Sequence, residues 1–102
     1  MLEVKRIEII ANYVELGKIL QGLEKAGIEN CTVIRDVAGT STRGDGKHDL
    51  AMTMLDNVYI IVFCPPEKLA LASDSIRSIL NKYGGSCFIS DAVELPTTKC
   101  VS

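Results

Sequence analysis

The run Val58–Phe63, VYIIVF, restricts the fold more than any other stretch of this chain. It carries no charge and does not alternate between apolar and polar residues. Its β-branched and aromatic content makes it a strand, and a strand apolar on both sides needs cover on both sides. Helices lying on one face of a small sheet bury only that face. The other has to meet something else, most simply a second copy of the same chain. An oligomer with its sheets packed inward is therefore expected.

The surrounding residues supply the helices. Strand one spans about Glu3 to Ala11, with Ile7, Ile9 and Ala11 on one face and Arg6, Glu8 and Ile10 on the other. Helix one opens at NYVE, where Asn12 and Glu15 have the spacing of a capping box. Leu16, Ile19, Leu20 and Leu23 then share a face, and Gly27 suits the left-handed helix end. NCTVIRDV is strand two. After strand three, Pro65-Pro66 favours a first helical turn, and Leu69, Ala72, Ile76, Ile79, Leu80 and Tyr83 form the buried stripe of helix two. Gly84-Gly85 stops that helix, SCFISDAVEL is strand four, and Pro96 ends it. Each half thus runs strand, helix, glycine, strand. Two such units with right-handed crossovers predict an α+β ferredoxin-like βαββαβ sandwich. It has a four-stranded antiparallel sheet, two helices on one face and a long loop between strands two and three.

Bulk properties narrow the function. The 102 residues make a single domain, 1–102, small enough to gain from oligomerisation. A net charge of -2 and the lack of Trp argue against nucleic acid as a partner. No signal pattern opens the chain and no apolar run nears the ~18 residues of a membrane span, so a cytoplasmic location without membrane insertion is expected. Cys31, Cys64, Cys87 and Cys100 form no C-x-x-C pair and read as reduced thiols, the first three packed in strands. The tail, about 96–102, has too little apolar content to predict order.

The chemical candidates cluster in the loop AGTSTRGDGKHDLAM, Ala38–Met52. It is not a Walker A motif: Asp45 follows Gly44, Lys47 comes late, and a strand follows instead of a helix. Gly39, Thr40, Ser41, Thr42 and Arg43 remain as a small-residue cradle with hydroxyl donors and an Arg fork suited to phosphate or carboxylate. The competing reading is a hairpin connection with a solvated Arg. His48 with Asp45 and Asp49 is too thin a set for a metal site, and no rigid base sits beside a thiol, so neither metal binding nor catalysis is expected. Gly84, Gly85 and Ser86 are either a helix stop or a close backbone approach to ligand. Arg35 and Asp36 are either exposed strand residues or a cross-subunit pair.

KAGIENCTVIRDVAG, the Gly/Arg loop, and NVYIIVFCPPEKLALASDSIRSILNKYGGSCFISDAVEL together resemble the PII signalling superfamily from Val4 to Leu95. The nearer likeness is to the PII-like branch with the cyanobacterial regulators of bicarbonate transport. The likeness rests on element order, on Gly27, Thr32 and Val33 approaching strand two, and on the DAVEL ending of strand four. It implies a homotrimer with sheets facing the axis, and a T-loop at about 39–56 that reads a protein partner. It also implies an adenine-nucleotide site between subunits at the base of that loop. Gly39, Ser41, Thr42 and Arg43 approximately match the branch's phosphate-meeting loop base. Asp45, Lys47, His48 and Asp49 fall in the partner-reading part. The second phosphate loop of PII proteins proper, Thr-Gly-x-x-Gly-Asp-Gly-Lys, is replaced by Gly84-Gly85-Ser86, which favours AMP, ADP or cyclic AMP over ATP. The implied partner is a membrane transporter or metabolic enzyme of carbon or nitrogen metabolism. The single Cys100 leaves no redox pair in the tail. The rival readings are an ACT-like small-molecule-binding module, in which the loop has no role, and a small enzyme or copper-tolerance-like protein of the same fold.

Overall fold

A computed structural model describes residues 1–37 and 56–97. Four strands, β1 (Leu2–Asn12), β2 (Cys31–Val37), β3 (Asn57–Cys64) and β4 (Ser86–Glu94), form one sheet in the order β2-β3-β1-β4. Every neighbouring pair is antiparallel. Helices α1 (Leu16–Lys25) and α2 (Leu69–Tyr83) connect β1 to β2 and β3 to β4. Each crossover skips one strand, which is the split βαβ arrangement of the ferredoxin-like sandwich.

The register shows why the residues divide as they do. Ile7 pairs with Val62, Ile9 with Ile60 and Ala11 with Val58, so one face of the two central strands is wholly aliphatic. All six residues are buried, together with Ile19 and Leu23 of α1 and Ala72 and Ile76 of α2. The next residues along each strand point the other way: Arg6 opposite Phe63, Glu8 opposite Ile61, Ile10 opposite Tyr59. Only the first face has helices on it. Among the described residues β3 is therefore covered on one side only, and Phe63 is 54% exposed.

Both helices begin with a 3₁₀ turn, Tyr13–Glu15 before α1 and Pro66–Lys68 before α2. The Asn12 side chain accepts a hydrogen bond from the Val14 N–H at 3.1 Å. The capping box expected at Asn12 and Glu15 is not completed in the usual way. The Glu15 carboxylate is buried and pairs with Lys18 at 3.3 Å, because the 3₁₀ turn tightens the chain before the α-helix starts. The end of α1 has paired bonds, from Ile28 N–H to Leu23 O and from Gly27 N–H to Glu24 O, both 2.9 Å. Gly27 takes the left-handed conformation with φ 83°, which completes a Schellman motif. One expectation for α2 fails. Tyr83 is 40% exposed, not part of the buried stripe, since its ring lies against the ammonium groups of Lys18 and Lys82 at 4.1 and 5.3 Å from its centroid.

Candidate functional site

One end of the sheet gathers both feet of the long β2–β3 connection and the glycine turn after α2. The chain leaves β2 at Val37 and re-enters β3 at Asn57, and these two residues pair. Asn12 pairs with Asn57 on the other side, and Ile10 pairs with Ser86 at the start of β4. The two feet of the β2–β3 connection, on β2 and β3, and the Gly84-Gly85 turn before β4 therefore lie at the same end of the sheet. Two to three strand spacings separate them, roughly 10–14 Å.

Local geometry fixes both sides of this end. β2 bulges between Arg35 and Val37, and Asp36 adopts a left-handed φ of 61°. The guanidinium of Arg35 stacks 4.1 Å from the centroid of the Tyr13 ring. The Tyr13 N–H donates to Asp56 O at 2.6 Å, tying the start of the first 3₁₀ turn to the point where the chain returns. Arg35 is thus held within its own chain by an aromatic face. On the other side, Gly85 has φ 127°, and a Cβ there would stand 2.7 Å from the Ile10 carbonyl oxygen and 2.8 Å from Leu80 Cδ2. No other residue fits without displacing β1, so the backbone of Gly85 approaches β1 as closely as the sheet allows.

Of the residues singled out from the sequence, Gly84 and Gly85 form this turn and Ser86 opens β4. Gly39, Thr40, Ser41, Thr42, Arg43, Asp45, Lys47, His48 and Asp49 lie outside the described residues, as does Cys100. Gly85 and Ser86 line a hollow of about 390 Å³ with Ser73, Arg77 and Asn81 of α2 and Phe88 of β4. Arg77 is a cation that sequence reasoning passed over. Its signal was helical spacing: it stands one turn before Asn81 and two before Gly84, on the face of α2 that leads into the glycine turn. A larger groove of about 1140 Å³ opens at the opposite end of the sheet, among Glu29, Thr32, Phe63, Pro65 and Glu67.

Three of the described residues are free cysteines, Cys64 buried and Cys31 and Cys87 half-buried in their strands. Burial pushes the Cys31, Cys64 and Cys87 thiols up from their ordinary value of 9.0, away from the reactive thiolate. Among the described residues no group of three His, Cys, Asp or Glu is placed to hold a metal. None of the described helices is long and apolar enough to cross a membrane.

The fold is shared with solved proteins. A nitrogen regulatory PII-like protein from Thiomonas intermedia K12, CPII, bound to ADP, AMP and bicarbonate, superposes with a TM-score of 0.75 at 21% identity. That match covers 93% of this chain and 97% of the other. A PII-like signalling protein from Thermus thermophilus gives a TM-score of 0.67 at 14% identity over 89% of this chain and 88% of its own. The GlnK–ATP complex of B. subtilis gives 0.68 at 15% identity over 90% and 84%. At these identities the likeness is one of fold. No curated protein matches the sequence. The family model described as nitrogen regulatory protein P-II matches residues 4–99. Nearly the full length is thereby accounted for, and the chain belongs to the P-II family of regulatory proteins.

Proposed function

We propose that this chain is a regulatory subunit that assembles into a trimer through the open face of its sheet and senses a small effector at the end of the sheet where the β2–β3 connection and the Gly84–Ser86 turn rise together. The observation that carries this reading is that shared sheet end. It sets a close-approaching glycine backbone and the feet of the long connection roughly 10–14 Å apart, in a chain of the P-II family. An adenine nucleotide is the proposed effector, with bicarbonate as a second ligand to test, because the similar CPII protein is described as bound to ADP, AMP and bicarbonate. The short Gly84-Gly85-Ser86 turn favours a mono- or diphosphate over a triphosphate. Gly39–Arg43 would meet the phosphates, with Arg43 as the bidentate donor.

The output of this subunit is a protein interaction. Effector contacts at the loop base would order the 39–56 segment, and Asp45, Lys47, His48 and Asp49 would read a transporter or metabolic enzyme. An effector that contacts the ordered and unordered states differently shifts the population between them. No catalytic group is proposed.

Isothermal calorimetry of the purified chain with AMP, ADP, ATP and cyclic AMP, with and without bicarbonate, tests the reading. AMP or ADP is expected to bind, and Arg43→Ala to weaken it by at least about tenfold, as loss of a bidentate charged contact does. Lack of binding by all four nucleotides overturns the nucleotide reading.

A further inference from the structure

Arg35 takes part in no ion pair among the described residues, although Asp36 follows it directly. The described pairs engage Lys5, Arg6, Lys18 and Arg77 with carboxylates. An aromatic face holds Arg35 instead: its guanidinium carbon lies 4.1 Å from the centroid of the Tyr13 ring. Arg35 is exposed, and Tyr13 is 43% exposed. A guanidinium seated on a ring commits its face there and keeps its N–H donors, which lie in its plane, for other partners. The ring also restrains a long side chain that a ligand would otherwise have to order.

The backbone fixes both members of the stack. The Tyr13 N–H donates to Asp56 O at 2.6 Å, so the ring is anchored at the point where the chain returns to β3. Arg35 opposes Val58 and Val37 opposes Asn57, with the bulge between them. Asp36 holds a φ of 61° in that bulge, a conformation that residues other than glycine seldom take. Bulges re-aim side chains, and strained backbone gathers at ligand sites. We propose that Arg35, set against Tyr13, is an oxyanion-binding residue at the foot of the β2–β3 connection. Its free N–H edge takes two oxygens of one anionic group, either the phosphate of a nucleotide or a free bicarbonate. The inference rests on the proposed effector site and adds a cation to it from the sheet itself. A planar fork that can stack and chelate together suits this place, and a lysine ammonium would do neither as well. Because the stack joins the outgoing and returning feet of the connection, an anion on Arg35 bears on both.

Calorimetry of the full chain with ADP and with bicarbonate tests this, with circular dichroism to follow folding. In Arg35→Gln the affinity for the anion that Arg35 holds should fall at least about tenfold. Weaker ADP binding identifies the nucleotide phosphate. Weaker bicarbonate binding with ADP unchanged identifies the free anion. Tyr13→Phe keeps the ring face and should bind as the unaltered chain does. Tyr13→Leu removes only the restraint on Arg35 and should lose about two- to fivefold. A role confined to holding the loop foot would make Tyr13→Leu as damaging as Arg35→Gln, and that result overturns the inference. Unchanged ADP and bicarbonate affinities in Arg35→Gln overturn it too, while the effector reading stands. If the unaltered chain binds neither ligand, the effector reading falls and the inference with it. Should Arg35→Gln not fold, Arg35→Lys decides alone: it keeps the charge, loses the fork and is expected to bind about fivefold more weakly.

Discussion

Gly85 shows how one residue can hold an end of the sheet. Its φ of 127° and the 2.7 Å gap between a would-be Cβ and the Ile10 carbonyl leave room for hydrogen alone. Gly85→Ala should therefore lower stability by about 1–3 kcal/mol, read as a fall in the urea midpoint with an unchanged slope. Gly84→Ala has no neighbour within 4 Å and faces only the backbone cost of its φ of 90°, so it should cost less. The tyrosines make a second test at this scale. Lys18 first, then Lys82, draws the Tyr83 phenol below its usual 10.0, whereas the hydrogen bond to Glu8 chiefly pushes Tyr59 above it. In an ultraviolet titration Tyr83 should ionise before Tyr59, and Tyr83→Phe should delete the earlier phase. The linkage follows in opposite directions. Tyr59 contributes stability below about pH 10 and loses it as pH rises through its raised folded value, while the Tyr83 contribution is present only above the ordinary tyrosine range.

At the scale of elements, the ends of the helices carry much of the specificity. Asn12 holds the first 3₁₀ turn through the Val14 N–H, and Asn12→Ala should cost about 1 kcal/mol, measured by thermal or urea unfolding. The far end of α1 is closed from another part of the chain: Lys68 donates to the Gly27 carbonyl at 2.7 Å, placing a cation where the helix dipole favours one. Lys68→Met should destabilise by about 0.5–2 kcal/mol, with Lys68→Arg losing less. The strands, the two helices, the glycine stops and the inward Ile7, Ile9 and Ala11 were legible from periodicity and end signals. The 3₁₀ entries to both helices were not, because the choice between a 3₁₀ and an α turn depends on tertiary partners. Glu15 turns to Lys18 and is buried there, so the box pattern identified the Asn12 cap correctly and the partner of Glu15 wrongly. Tyr83 has the spacing of a core residue, yet two lysine ammonium groups compete for its ring at the surface. Close packing between the helices was equally silent in the sequence: a Cβ on Gly22 would lie 3.0 Å from Ser75 Cβ, so this mid-helix glycine permits the approach of α1 to α2.

For the whole molecule, the decisive feature is a sheet with one covered face and one open one. Phe63→Asp places a charge in the apolar surround of that open face without touching the helical core. It should leave the fold intact and shift the chain to monomer, read by light scattering beside circular dichroism. Loss of nucleotide binding by the same variant would tie the effector site to the assembly, as expected for a site completed between subunits.

The sequence by itself determined the order of elements, the four-stranded sandwich and the presence of a second apolar surface, because strand and helix periods and glycine stops are local properties of the chain. It also pointed to Gly84–Ser86 as a place where backbone, not side chain, matters. What only the tertiary structure decided is which groups meet. Strand register put Arg6, Glu8 and Tyr59 together on the open face. The packing of α2 against β4 set Arg77 along one hollow with Phe88, and the bulge in β2 accompanies the stacking of Arg35 on Tyr13. Tyr59 meets Glu8, and Arg35 meets Tyr13, across long stretches of chain, and such partners follow from strand order and register, which no single stretch of sequence encodes.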